Sequence, residues 1–481
     1  MERAEPRSWS TLEPWAAALA LGACALRLSP GLGPAPFYNS DCAVPILLMQ
    51  GMGHGAFTLF YPLQDRFGTW PFLLGRALHL QTPESYFLLS LLALCSAAIP
   101  LSAVLGSPAL AVLTLMVPIV VSHSVAWNFL QAGQPYLWQM VAMCWAWWGC
   151  RVALDGRTGR SRRVALAGFA VATGLATWMN TASLAALLAL ALLEAFRARA
   201  RPERAVGVLA GLGAAGAFDA LLHHLHAVDS VRQFGRTYVT SLRIDRGHVL
   251  ANVGPVLASL RHEGGLWPLL VGAVAIAAPR RTRGERFDGL ALLVFGLSVL
   301  PGLMLVRYFR MNEFAGRYLS LPTFWAIAAA VHGLALLACG LAGRFRRAVL
   351  ALGLLALVVA VPRAPVDPLA EPRADAARLV AAGPAVLLAD YLDVYVPASL
   401  GPAGLLVPIG AEGNLDRFPS NDSELRAGRL VLAPCALERP DGTLEQHGAL
   451  LRRIEAPPIP GHPGPWCRHA VERAPAPVPA R

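Results

Sequence analysis

Apolar residues along this chain fall in blocks of about 15 to 23, separated by short arginine-bearing breaks. A helix needs about 20 apolar residues to cross a hydrocarbon core of ~30 Å. Backbone amides facing lipid have no water partner, so such blocks must be helical. The pattern predicts about eleven transmembrane helices, near 13–28, 85–105, 108–125, 136–152, 164–178, 182–196, 205–222, 265–279, 288–306, 319–341 and 348–362. The first block has the length of a signal peptide. It carries no convincing small-residue cleavage site and ten further blocks follow, so it reads as a retained helix.

Two stretches break the rhythm. Residues 30–84 form a first outer loop too long for a tight connection. Its "VPILLMQGMGHGAFTLF" and "TWPFLLGRALHL" are apolar but interrupted by Gly and Pro, as suits helices lying in the membrane interface. The transmembrane part ends at 362, and "VPRAPVDPLAEPR" reads as a Pro-rich linker over 363–373. Residues 374–473 then have the balance of a small soluble α/β domain. "DAARLVAAG" predicts a helix ending on Gly383, and "AVLLADYLDVYV" and "GRLVLAPC" predict strands. Residues 474–481, rich in Pro and Ala, read as a disordered tail.

Composition agrees with a polytopic all-α membrane protein. Of 481 residues 55% are hydrophobic and 15% charged, where soluble proteins carry roughly a quarter charged. The formal charge of +11 does not indicate nucleic acid, because many of the arginines sit in short loops between apolar blocks. All 41 basic residues are arginine, which codon bias explains. The segments "RVALDGRTGRSRR", "RARARPER", "RRTRGER" and "RFRR" fall on one face, which the positive-inside rule makes cytoplasmic. The N-terminus is then cytoplasmic and the C-terminal domain extracytoplasmic. Segment 223–264 opposes the rule with five arginines, but long loops obey it poorly.

Of eight cysteines, five lie in or beside the apolar blocks, where a small buried role is expected. Cys42, Cys435 and Cys467 fall on the outer face, and Cys435 and Cys467 are candidates for a disulfide within the C-terminal domain. No zinc-type cysteine spacing occurs.

"FYNSDCAVPILLMQG" (37–51) places one carboxylate, Asp41, in an otherwise uncharged segment just after the first span. Asp is a good helix N-cap, which is the ordinary reading. Pro45 opposes it, because as the fourth helical residue it would lack the N–H that bonds the cap carbonyl. A helix starting one or two residues later tolerates Pro45 and leaves the carboxylate free for catalysis.

A first span, a long outer loop with an early Asp and interfacial helices behind it resemble the GT-C superfamily of membrane glycosyltransferases. That superfamily includes protein mannosyltransferases and lipid A aminoarabinose transferases. "EFAGRYLSLPTFWAI" (313–327) resembles the late "RY" before a span in the same proteins, and "LADYLDVYVPASLGPAGLLVPI" resembles their outer domain. Several members carry an adjacent acidic pair, and here Cys42 occupies the second place.

The resemblance implies an inverting glycosyltransferase of a bacterial plasma membrane. It would move a sugar from a polyprenyl-phosphate donor to an acceptor whose nature the sequence leaves open. Asp41 is the expected general base, within hydrogen-bond reach of the acceptor hydroxyl. The leaving phosphate calls for arginine, whose planar fork holds two oxygens. Arg317 leads the candidates, with Arg307 and Arg310 nearby and Arg232, Arg236 and Arg243 in "VRQFGRTYVTSLRIDR". Each has an alternative reading as an interfacial anchor. Tyr318 and Tyr136 are candidates for substrate contact, as are Trp127 and Trp138, although an aromatic belt predicts the same residues.

In "FDALLHHLH", Asp219, His223 and His226 share one helical face. Such a set can hold a divalent metal, although imidazoles facing water at a helix end are the commoner outcome. Asp390 and Asp393 read as loop-capping carboxylates. No P-loop, dinucleotide fingerprint or serine-hydrolase motif is present. The competing functions are a lipid or sugar transporter, which predicts repeated halves with broken spans, and a non-catalytic membrane scaffold.

Overall fold

The structure, a computed structural model, describes residues 12–28, 39–51, 59–61, 67–131, 133–155, 159–234, 246–277, 283–305, 316–338, 343–361, 369–411, 418, 421–461 and 464–474. Helices occupy each of the eleven expected blocks. Four of them, Pro83–Leu105, Pro202–Val228, Gly284–Leu305 and Arg317–Leu337, are long and apolar enough to cross a membrane. Helices Pro108–Val121 and His123–Leu130 make a fifth span if counted together, but they meet at a 105° bend. Eleven crossings are therefore not established. The fold is that of a multi-pass membrane protein.

The helices pack around one apolar core whose largest members are aromatic. Trp147 meets Phe295 edge-on at 5.5 Å, Phe295 meets Trp325 at 4.7 Å, and Phe324 stacks on Phe129 at 4.8 Å. Pairs of this kind contribute about 0.5–1.5 kcal/mol beyond the area they bury. Leucines 88, 92, 209 and 221 stay exposed, as a surface facing lipid requires. The helix Pro83–Leu105 shows how local sequence sets an element's ends. Thr82 and Ser85 form a reciprocal capping box at its start, and Gly106 ends it in the left-handed region at φ +66°.

Two arginines from the expected loop segments take part in a buried network. Arg151 and Arg197 belong to segments read as cytoplasmic loops, yet both lie within helices and are paired. Arg151 Nη2 bonds Glu194 Oε1 at 2.5 Å and Asp288 Oδ1 at 2.6 Å, and its Nη1 donates to the Val104 carbonyl. Arg197 Nε reaches Glu194 Oε2 at 2.5 Å, and the Trp147 indole donates to Glu194 Oε1 at 2.7 Å. Four helices are tied at one buried point. Glu194 is only 1% exposed, a depth at which a carboxylate must be paired.

The C-terminal domain is built on a six-stranded sheet: β1 Ala385–Ala389, β2 Leu406–Gly410, β3 Leu430–Pro434, β4 Thr443–Gln446, β5 Ala449–Arg453 and β6 Trp466–Arg473. Its order is β2-β1-β3-β6-β5-β4, with β1 parallel to β2 and β3 and the remaining pairs antiparallel. Cys435 and Cys467 form a disulfide there. Helix Ala370–Val380 begins inside the expected linker, and Gly383 follows it at φ +95°. "AVLLADYLDVYV" is not one strand. It is β1 followed by the helix Tyr391–Leu400, with Asp390 at the N-cap position.

Strand alternation divides β1 between two cores. Ala385, Leu387 and Ala389 join a cluster with Ala43, Val44, Ile46 and Leu47, whereas Val386 and Leu388 pack with Val431 and Leu451. The first cluster seats the domain on the helix Ser40–Met49. Gln50 adds a bond from Nε2 to the Ser399 carbonyl at 3.1 Å, and Arg373 pairs with Glu84.

Candidate active site

Asp41 lies in the first turn of the helix Ser40–Met49. The cap is Asn39, whose side chain accepts from the Cys42 N–H at 3.1 Å. The helix thus starts earlier than Pro45 suggested, and Pro45 sits buried inside it. Proline has no N–H for the carbonyl four residues back, which is that of Asp41. That carbonyl accepts from the Tyr61 hydroxyl instead, at 2.9 Å. The N-cap position thus falls to Asn39, not Asp41. Asp41 Oδ1 accepts from the Tyr391 hydroxyl at 2.5 Å, within the range of a charge-assisted O–H···O⁻ bond.

Asp41 and Asn39 line a cavity of about 1400 Å³. The 105° bend opens one wall of it, where Ser122, His123, Ser124, Trp127 and Asn128 turn toward the space. Ser122 makes the bend affordable in hydrogen bonds by accepting from the Val125 N–H at 3.3 Å, as a helix cap does. His262, Glu263 and Trp267 also line the cavity.

Arg317 lines the same cavity. It stands in the short turn Gly316–Leu319 before the helix Ser320–Ala338. Its Nη2 donates to the Tyr318 hydroxyl at 3.0 Å, and its guanidinium carbon lies 5.0 Å from the Tyr318 ring centre. Tyr318 is buried, so it braces the exposed arginine from behind. Asn128 Nδ2 donates to Ser320 Oγ at 2.9 Å and to the Ser124 carbonyl at 2.8 Å. This knot locks the bent helix to the turn carrying Arg317.

Other expected residues fall elsewhere. Tyr136 does not line the cavity; it is buried with its ring stacked on Phe129 at 6.2 Å. Trp138 is buried against Trp70, and of the aromatic candidates only Trp127 faces the space. Arg236, Arg243, Arg307 and Arg310 lie outside the described residues, as does the Arg232 side chain.

Asp219, His223 and His226 share a helix but do not converge as a ligand set among the described residues. His223 Nδ1 is 2.9 Å from the Asp219 carbonyl, and the Phe60 ring packs on both imidazoles at 4.5 and 5.1 Å. The group Cys435, Glu438 and Cys467 does converge, but both sulfurs are already joined.

No protein-family model matches the sequence, and no curated protein matches it. The structure is similar to ArnT from Cupriavidus metallidurans bound to undecaprenyl phosphate, with a TM-score of 0.56 and 12% identity over 96% of this chain and 99% of that one. The apo state of ArnT gives the same score over 95% and 97%. The chain shares the fold of ArnT over nearly its full length. An oligosaccharyltransferase from Archaeoglobus fulgidus is a more distant likeness, with a TM-score of 0.47 and 12% identity over 88% of this chain and 68% of that one.

Within this fold, sequence reasoning missed Tyr61 and Tyr391. Pro45 was the available signal for Tyr61, since a proline four residues after Asp41 leaves a carbonyl needing a donor. Tyr391 was hidden because its segment was read as strand.

Proposed function

We propose that this chain is an inverting glycosyltransferase of the bacterial plasma membrane. It would act at the outer face on a sugar carried by polyprenyl phosphate. The carrying observation is that Asp41 and Arg317, two elements far apart in sequence, line one cavity. The bound undecaprenyl phosphate of the similar ArnT structure supports the donor class.

Tyr391 holds Asp41 Oδ1, and the carboxylate so oriented would receive the proton of an acceptor hydroxyl. That hydroxyl oxygen bonds the anomeric carbon while the bond from that carbon to the phosphate oxygen breaks, and Asp41 takes the proton. General-base help of this kind contributes about 10²–10⁴-fold. Arg317 neutralises the departing phosphate, with Tyr318 fixing the plane of its fork. Trp127 offers an aromatic face to the sugar, and the neutral side chains of Asn39, Asn128 and Gln131 supply hydrogen bonds to its hydroxyls.

The test is Asp41→Asn, assayed with radiolabelled undecaprenyl-phosphate-linked sugar in native membranes that supply the acceptors. Transfer should fall by at least about 100-fold with expression and insertion unchanged. Normal transfer by the variant overturns the assignment. A second reading, transport of a lipid or sugar, draws on the sharp bend at the cavity. Uptake by vesicles containing no acceptor would favour it.

A further inference from the structure

We infer that Tyr391, carried by the C-terminal domain, is a positioning residue for the Asp41 carboxylate, so that the soluble domain completes the active site. The inference rests on the glycosyl-transfer reading above. Three observations carry it.

The first is the bond itself. Tyr391 Oη lies 2.5 Å from Asp41 Oδ1, across 350 residues of sequence. Tyr61 holds the carbonyl of the same residue. Asp41 is thus fixed at two points, one on its backbone and one on its side chain, and the second fixes the rotation of the carboxylate. A base so oriented holds its carboxylate in one direction, which is what proton abstraction from a bound hydroxyl requires.

The second is where the domain's topology puts Tyr391. The parallel part of the sheet has the order β2-β1-β3, so the chain leaves β1 to one side and later returns to its other side. In open α/β sheets the crevice at such a reversal, outside the carboxyl ends of the strands, is where ligands bind. Asp390 and Tyr391 immediately follow the carboxyl end of β1. Here the surface offered to that position is the first turn of the helix Ser40–Met49.

The third is that the seat is firm. Ala43, Val44, Ile46 and Leu47 are fully buried in one apolar cluster with Val394, Tyr395 and Ala398 of the Tyr391 helix. The Gln50 bond to the Ser399 carbonyl closes the far end. Removal of the hydroxyl from Tyr391 therefore leaves the apolar seat in place and takes away its bond to the carboxylate.

The experiment compares Tyr391→Phe with Tyr395→Phe in the full chain, using undecaprenyl-phosphate-linked sugar in native membranes. Tyr395 is the neighbouring ring, 5.0 Å away and buried in the domain. Tyr391→Phe should lower kcat about 10- to 100-fold with the KM for donor unchanged, the scale of a hydrogen bond to a charged group. Tyr395→Phe should leave kcat within a few-fold of wild type. Unchanged kcat in Tyr391→Phe, or equal losses in the two variants, overturns the inference. Full transfer by Asp41→Asn in the same assay, or no donor turnover by the wild-type chain, overturns instead the reading beneath it.

Discussion

Tyr61 donates its hydroxyl to the main-chain carbonyl of Asp41 at 2.9 Å. The bond exists because Pro45 cannot make it, so a helix defect one turn away becomes an attachment point for Tyr61 beside the candidate site. A freed carbonyl in a buried setting is costly without a donor, and here the donor also limits where the Asp41 backbone can stand.

Gly133 presses on the same carbonyl from the other side. A Cβ at this position would lie 2.2 Å from the Asp41 carbonyl oxygen and 2.7 Å from its carbon, both backbone atoms that cannot rotate away. Gly133→Ala should displace Asp41 and lower turnover about 100-fold, the cost of misplacing a reacting group by about 1 Å. Wild-type turnover by a stably inserted variant would contradict the contact.

Arg317 is the cavity's described arginine. Arg317→Ala should reduce kcat/KM for the polyprenyl donor about 10²- to 10³-fold, as loss of a donor to developing negative charge does. Arg317→Lys should recover only part of it, because an ammonium lacks the two-pronged geometry and the stacking on Tyr318. Steady-state kinetics over a range of donor concentrations checks both, and an unchanged kcat/KM for the alanine variant removes Arg317 from the site.

Glu194→Ala removes the acceptor shared by Arg151, Arg197 and Trp147. Breaking a buried pair from one side typically costs about 3–5 kcal/mol. The detergent-solubilised variant should unfold at a clearly lower temperature, whereas loss of the exposed Arg452–Glu472 pair should change little. Equal Tm values for the two would show that the four-helix tie carries no stability.

His469 is fully buried in β6, and that burial holds its pKa below the usual histidine value of 6.5, against the opposing pull of Glu438 at 3.0 Å. Below about pH 6.5 the unfolded chain gains a proton that the folded domain refuses. Stability should therefore be greatest above that pH and decline as the pH falls toward the lower folded value. Hydrogen-exchange protection of the peptide covering 466–473 should weaken between pH 7.5 and 5.5, once corrected for intrinsic exchange rates. Greater protection on acidification would contradict the sign.

The helices were legible because lipid imposes a single demand, and block length and arginine breaks record it directly. Asp41 was legible for the related reason that an acid is conspicuous in apolar sequence. Glu194 carried the same signal within "ALLEAF" and was passed over, because Arg151 and Trp147, two of its three partners, lie on another helix. The bend at Ser122 and the Tyr391 bond were not legible. The first looks like any apolar run containing Pro118, and the second joins residues brought together only by the sheet's strand order. The read of "AVLLADYLDVYV" as strand held for Ala385–Ala389 and failed beyond it, because alternating Tyr, Val and Leu suit a strand, while packing on the helix Ser40–Met49 made the second half helical.

The seating of the Tyr391 helix on the Ser40–Met49 helix also counts membrane crossings without measuring any. In the proposed topology both segments lie outside the bilayer on one side, so the chain between residues 49 and 391 would pass through it an even number of times. The bent pair at Ser122 matters for this arithmetic, since a hairpin that returns to its own side adds nothing and a true crossing adds one. Any insertion or deletion that changed the tally by one would strand the tyrosine across the bilayer from its carboxylate.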